Sequence, residues 1–228
     1  MDRKLEKTLG VAAGAVAVAA CGMAFRPWFL NWGATEEEID RFWPGDELSP
    51  TPASSATRAL TIRASADEIW PWLAQIGQDR GGFYSYSWLE NLVGARIHNA
   101  DRILPGQQSR QVGDTVWMTP RERYGGRGCV RVARLELDRD MVFVSPEDYD
   151  SVVTKGLAPN GTWAFVLDPI DERTTRLIVR SRSGPKANPF RFLLFDPAHF
   201  IMERKMMLGI RGRAEAQAAR RIEAKAAA

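Results

Sequence analysis

The sequence predicts an α+β domain in which a curved antiparallel sheet wraps a long C-terminal helix and leaves a cavity between them. Three observations carry that expectation. From Val112 to Ser183 short apolar and polar alternations are punctuated by glycine turns, the pattern of consecutive antiparallel strands. From about Pro197 to Ala226 the period lengthens to that of a single helix, with His199, Met202, Glu203, Met206, Met207, Ile210, Ala214 and Ala218 on one stripe. Ahead of both stand a strand-like run, Thr57–Arg63, and two short helical patterns. A sheet built in that order curves too strongly to close over one helix without a gap.

Taken in order, the chain opens with a run from Leu9 to Phe25 that carries no charge and follows Arg3, Lys4 and Lys7. At helical rise it spans roughly 25 Å, the short edge of a membrane helix. Three readings stay open. The run is an uncleaved anchor continued through Pro27–Leu30, with Trp28 and Trp32 at the interface. It is a cleaved signal, or a lipidated one at Cys21, since Val18-Ala19-Ala20-Cys21 has the form of a lipobox. Or it is an alanine-rich helix packed on the domain. Glu36, Glu37, Glu38 and Asp40 follow the run, and with the basic residues before it they favour a single-pass protein with its domain outside the cytoplasm. Residues 1–32 are thus one segment, residues 33–56 a short helix and linker, and residues 57–228 the main domain.

Thr35 with Glu38, and Ser65 with Glu68, are capping boxes that start helices. Pro44 to Thr57, rich in Pro, Ser and Thr, reads as a linker or extended arm. The second box opens a helix to about Ile76, tightened by Pro71; Gly81-Gly82 breaks the chain, and Trp88–Val93 is a second short helix closed by Gly94. Strands are expected over Thr115–Thr119, Gly128–Leu137, Met141–Ser145, Gly161–Leu167 and Thr175–Ser183. The final helix is expected to start at Pro197 with Asp196 as its cap.

Composition narrows the function. The formal charge is only +3, and the basic run Arg211, Arg213, Arg220, Arg221 reads as a solvated helix face, so a nucleic-acid partner is not expected. Cys21 and Cys129 have no metal-ligand spacing, and no metal or cofactor is expected. No Ser-His-Asp ordering, paired carboxylates, zinc-protease or phosphate-loop motif is present. Oligomeric state is left open.

Several phrases carry a resemblance. The element order, with ADEIWPWL at Ala66–Leu73 and FDPAHFIMERKMMLGIRGRAE from Phe195, resembles the START/Bet v 1-like superfamily, also called SRPBCC or polyketide cyclase/dehydrase-like, over about Ala56 to Ala226. The segments RPWFLNWGAT, PGDEL, QIGQDRGGFYSYSWLENLVG, IHNADRILP and AHFIMERKMMLGI look like a membrane-associated subfamily of that group. The resemblance implies a helix-grip fold and a hydrophobic ligand cavity. That superfamily includes lipid carriers, hormone receptors, aromatic cyclases and co-chaperones, so it implies no catalytic residues.

The expected function is binding of a hydrophobic small molecule or lipid by a membrane-tethered domain. Ligand contacts are expected from Trp163, Phe165, Met206 and Met207, with polar contacts from Tyr84, Tyr86, Arg180 and Glu203. Tyr84, Tyr86 and Trp88 alternate as an extended segment would, and so point to one side. Asn91, His98, Asp101 and Arg102 read as a loop brace or as a histidine oriented by a carboxylate. Arg180 pairs with Glu203 if its strand face meets the final helix, beside His199. The alternatives are a cyclase- or dehydratase-type enzyme on a polyketide-like substrate, with His98, His199 or Glu203 as acid or base, and a co-chaperone-like protein-interaction module.

Overall fold

The computed structural model describes residues 24–92, 94–184 and 191–227. Among these, six strands form one sheet: β1 (Ser54–Ile62), β2 (Thr115–Trp117), β3 (Cys129–Glu136), β4 (Asp140–Val144), β5 (Gly161–Asp171) and β6 (Thr174–Ser183). Their order is β1-β6-β5-β4-β3-β2, and every neighbouring pair is antiparallel. Register shifts at Val132/Arg134 in β3 and Pro169/Asp171 in β5 bend the strands there. One face of the sheet, carrying Leu60, Ile62, Phe165, Leu167, Leu177 and Val179, shares a core with Met206, Met207, Ile210 and Ala214 of the long C-terminal helix α6 (Arg191–Ala226). This is the helix-grip arrangement expected from the sequence, with alternate strand residues facing the gripped helix.

Both capping boxes form. Thr35 and Glu38 bond reciprocally at the start of α2 (Glu36–Asp40), and Ser65 with Glu68 at the start of α3 (Ala66–Ala74), which holds Pro71 and buries Ile69, Trp70, Trp72 and Leu73. The glycine bend forms an isolated bridge between Gly77 and Gly82, and α4 (Ser87–Leu92) ends before Gly94, whose φ of 76° only glycine adopts freely.

Three expectations change. The helix α6 begins at Arg191, so Asp196 and Pro197 lie inside its N-terminal part rather than at its cap, and Asp196 pairs with Arg26 at 3.3 Å. A helix unforeseen in the sequence, α5 (Pro146–Lys155), follows β4: Ser145 accepts from the Asp148 amide, Pro146 fills its first turn and Gly156 closes it at φ 61°. The stretch Pro44–Thr57 is not a free linker. Its end is already in β1, and its start lies on the sheet face turned away from α6, where Trp43 packs with Ala59, Val166 and Ile178. Trp43, Asp46 and Ser49 are buried there, so this strap covers the sheet's second face.

Most of the run expected to be an anchor or signal, Cys21 included, lies in residues 1–23, outside those described; its continuation from residue 24 is described. No described helix is long and apolar enough to cross a membrane. Residues 24–30 form a helix, α1, that docks on the N-terminal part of α6, with Trp28, Phe29 and Trp32 all in ring contact with Phe200. Of the basic run, Arg220 and Arg221 are exposed, whereas Arg213 is drawn inward: it donates to the carbonyl of Ala100 at 2.7 Å and lies over the Tyr84 ring.

Candidate functional site

The cavity exists because the helix-facing side of the sheet runs out of large side chains at one end. A register row crosses β1, β6, β5 and β4 through Ala56, Ser181, Trp163 and Phe143. The next row outward is Ser54, Ser183 and Gly161. Deeper in, the rows carry Arg58, Val179, Phe165 and Met141, then Leu60, Leu177 and Leu167. Small residues on β1 and β6 thus leave open the space that leucine and valine fill one turn of the pleat further in. The result is a cavity of about 560 Å³, walled on the helical side by Arg26 and Leu30 of α1 and by His199 of α6. That volume falls within the range of small-molecule sites.

Phe143 and Trp163 give its wall two aromatic faces, and most of the remaining lining is polar, Arg58, Asp148 and His199 included. Trp163 lies between Phe143 and Phe165, at centroid distances of 5.7 and 4.8 Å, and stacks with Phe83 at 6.5 Å. Arg58 and Glu203, each with 1% of its side chain exposed, form a buried ion pair. Glu203 also accepts a 2.8 Å hydrogen bond from the Trp163 indole, and Arg58 Nε donates to the Phe29 carbonyl at 2.8 Å. His199 Nε2 stands 3.7 Å from the Glu203 carboxylate, and its ring meets Trp163 edge-on. At the rim, Asp148 accepts from both the amide and the side chain of Asn160 at 2.9 Å, which fixes the start of β5 to α5.

The sequence candidates divide sharply. Trp163 and His199 border the cavity, and Glu203 lies behind them in contact with both. Arg180 does not: it points to the opposite face of the sheet, where it bonds Asp46 at 2.9 Å and Thr57 at 2.6 Å. The partner of Glu203 is Arg58, which is not among the sequence candidates. Its signal was present, since Arg58 has the parity of Leu60 and Ile62 in β1 and Glu203 lies on the apolar stripe of α6. Phe165, Met206 and Met207 are wholly inside the core and do not border the cavity.

Tyr84, Tyr86 and Trp88 do not share a side. Tyr84 is left-handed at φ 57°, and α4 has begun by Ser87, so the alternation of a strand never develops. The Tyr84 ring is buried, its hydroxyl donates to the Trp72 carbonyl at 3.0 Å, and burial pushes its phenol well above the usual value. Gly209 of α6 passes so close that an added Cβ would stand 2.3 Å from the Tyr84 carbonyl oxygen. Tyr84 is therefore a strut between α3 and α6. Tyr86 is half-buried and Trp88 is exposed.

The polar residues behind them brace the loop, through Asn91 as expected and through Asn99 in place of His98, Asp101 and Arg102. Asn91 bonds both backbone groups of Ile97, and Asn99 accepts from the Tyr84 amide and donates to the Ser85 carbonyl. His98 is exposed, and no hydrogen bond or ion pair joins it to Asp101 or Arg102.

Glu90 in α4 is the perturbed carboxyl nearby. Burial raises it from 4.5 to about 7, and one of its oxygens is buried without a hydrogen bond. A carboxyl raised on folding weakens the fold as pH climbs from 4.5 to 7, because the unfolded chain releases its proton first. Glu90→Gln is therefore expected to raise the melting temperature at pH 8 and to leave it unchanged at pH 4. Equal shifts at both pH values in a calorimetric scan would contradict this.

No protein-family model matches the chain, and no curated protein matches it. Similar solved structures include the Aha1 dimer of Colwellia psychrerythraea, 14% identical with a TM-score of 0.41, covering 71% of this chain and 96% of that chain. A protein of Nitrosospira multiformis is 12% identical with a TM-score of 0.42, covering 73% and 99%. The Polyketide_cyc-like protein of Corynebacterium glutamicum is 15% identical with a TM-score of 0.32, covering 75% and 92%. Likenesses this distant say nothing about activity; the helix-grip arrangement stands on the chain's own topology.

Proposed function

We propose that the chain binds an apolar small molecule or lipid in the cavity between the sheet and α6, as a domain tethered to a membrane by its N-terminal run. The observation that supports this reading is the 560 Å³ space that opens against the Trp163 and Phe143 rings, with Arg58 and His199 among the polar side chains of its wall. Such a site suits a ligand with an apolar body for the two rings and hydrogen-bonding groups for the polar wall. The body lies against Trp163 and Phe143. The polar end meets Arg58, one of whose terminal nitrogens is committed to Glu203, and His199. Native mass spectrometry of the purified protein, followed by solvent extraction, tests the reading. A co-purifying apolar species supports it, and a ligand-free protein that takes up no fatty acid, sterol or aromatic polyketide sinks it.

Ser181→Leu supplies a second test. Ser181 lies between Ala56 and Trp163 in the register row, so the new side chain would fill the cavity from its floor strand. The variant is expected to keep its fold and lose most ligand binding, read as loss of the Trp163 fluorescence response. Undiminished binding would place the ligand elsewhere.

The enzymatic reading keeps one supporting observation, the approach of His199 to Glu203 beside the same cavity. Turnover of a cyclisable polyketide that survives His199→Ala would remove it.

A further inference from the structure

The cavity wall formed by α1 and α6 has a second, outward side, and that side is apolar. Phe25 and Trp28 on α1 are 64% and 59% exposed, and Ile201 on α6 is 50% exposed. The two helices meet here, because Trp28 contacts Phe200, the residue before Ile201, at a centroid distance of 5.3 Å. One helical turn beyond Ile201, Lys205 reaches over the Tyr86 ring at 5.5 Å, and Tyr86 meets Trp88 edge-on at 6.5 Å. Trp88 and Leu92 of α4 are 67% and 77% exposed. Ser85, just before α4, donates to the Met202 carbonyl at 2.9 Å, which ties this part of the rim to the same stretch of α6. Arg204 lies over the Trp32 ring at 4.8 Å. Exposed aromatic and aliphatic side chains thus continue from α1 across α6 to α4, with the cations Arg204 and Lys205 among them.

Single exposed apolar residues need no explanation, but a connected set does. The occupant is indicated by two features. The uncharged run Leu9–Phe25 joins the folded domain at this rim, since Phe25 is both its last residue and the first member of the patch. Tryptophans beside lysine and arginine are also the composition of a surface lying at the level of lipid headgroups. A second protein copy would explain the apolar residues but not the arrival of the uncharged run beside them.

We infer that the α1–α6–α4 rim docks on a lipid bilayer, so that the cavity wall bearing Arg26, Leu30 and His199 stands directly above the membrane surface. Docking places the cavity within reach of molecules dissolved in the leaflet, and Arg204 and Lys205 strengthen it on anionic lipid. The inference rests on the membrane-tethering part of the proposed function and not on the identity of any ligand.

The full-length chain, reconstituted in phosphatidylcholine vesicles with brominated acyl chains, tests it by tryptophan quenching. The uncharged run contains no tryptophan, so quenching reports the folded domain alone. Wild type is expected to be quenched, and more strongly when phosphatidylglycerol is included. The variant Trp28→Leu/Trp88→Leu should lose most of that quenching, while the buried Trp43, Trp70 and Trp72 contribute little. Both replaced residues are exposed, and a circular dichroism melt matching wild type confirms the fold. A chain that floats with the vesicles but whose quenching is absent, or unchanged by the double substitution, overturns rim docking and leaves the tether standing. A chain that does not float overturns both. If the detergent-solubilised chain is a dimer that these substitutions dissociate, the rim is a protein interface and the inference is wrong. Loss of quenching with no ligand ever found in the cavity would leave docking intact and remove only the carrier reading.

Discussion

Replacing Glu203 with alanine should cost the fold about 3–5 kcal/mol, the usual effect of stranding one member of a buried ion pair. The guanidinium of Arg58 is left with no carboxylate in a site where 1% of its side chain is exposed. The Trp163 indole loses its acceptor as well. Removing both charges together is a different matter. Arg58→Met/Glu203→Met fills the same volume without a charge to desolvate, and such replacements are commonly neutral or stabilising. The double variant should therefore recover most of the loss, and urea denaturation of wild type, Arg58→Met, Glu203→Met and the double variant measures the coupling directly. A single-variant cost under about 1 kcal/mol would mean that solvent already reaches the pair.

The comparison also separates stability from recognition. An ion pair that an apolar pair could replace without loss of stability has its advantage elsewhere, and here Arg58 borders the cavity while Glu203 lies behind it, bonded to Trp163. The double variant should be well folded yet bind ligand more weakly. Full stability with undiminished binding would reduce Arg58 and Glu203 to scaffolding.

Why the pair was half-legible follows from the strands themselves. Glu203 is legible because it shares the core-facing stripe of α6 with His199 and Met207. Its partner was sought in Arg180 because β6 offers two candidate faces: Leu177 and Val179 have one parity, Ile178 and Arg180 the other. Both faces are covered, one by α6 and one by the Trp43 strap, so apolar residues occur on each and parity alone cannot say which meets the helix. In β1 the clue was cleaner, with Arg58 alone among Ala56, Leu60 and Ile62. The helices were read well where a cap announced them, as at Thr35 and Ser65. The same chemistry at Ser145 and Pro146 went unread because α5 sits between two strands. Tyr84 misled because alternation imitates a strand, whereas Gly81-Gly82 and a left-handed φ set its direction. The cavity itself was implied by the fold, but its position was not. It depends on Ala56 aligning with Ser181, and Ser54 with Ser183 and Gly161, across strands that include β1, far from the others in sequence.

The other large effect belongs to Asp46, in a stretch that composition alone marks as linker. Asp46 is 2% exposed and takes Arg180 at 2.9 Å and Arg182 at 2.7 Å, while its second oxygen accepts from the Trp43 amide. Two cations are therefore held against one carboxylate on the covered face of the sheet. Burial and the neighbouring Arg180 already work against the charge on Arg182, and Asp46 is what opposes them. Asp46→Ala leaves both guanidinium groups without their counter-charge and should destabilise the protein by about 3–5 kcal/mol. A true linker would show under about 0.5 kcal/mol for the same change. Loosening of the strap should also appear locally, as rapid tryptic cleavage after Arg41, where the wild-type guanidinium is held over Trp43 and paired with Asp168. Arg180→Met/Arg182→Met/Asp46→Leu, which removes all three charges, should restore resistance to both urea and trypsin. If Asp46→Ala melts like wild type and is cleaved no faster, the strap contributes nothing to holding the sheet and the second face is effectively open to solvent.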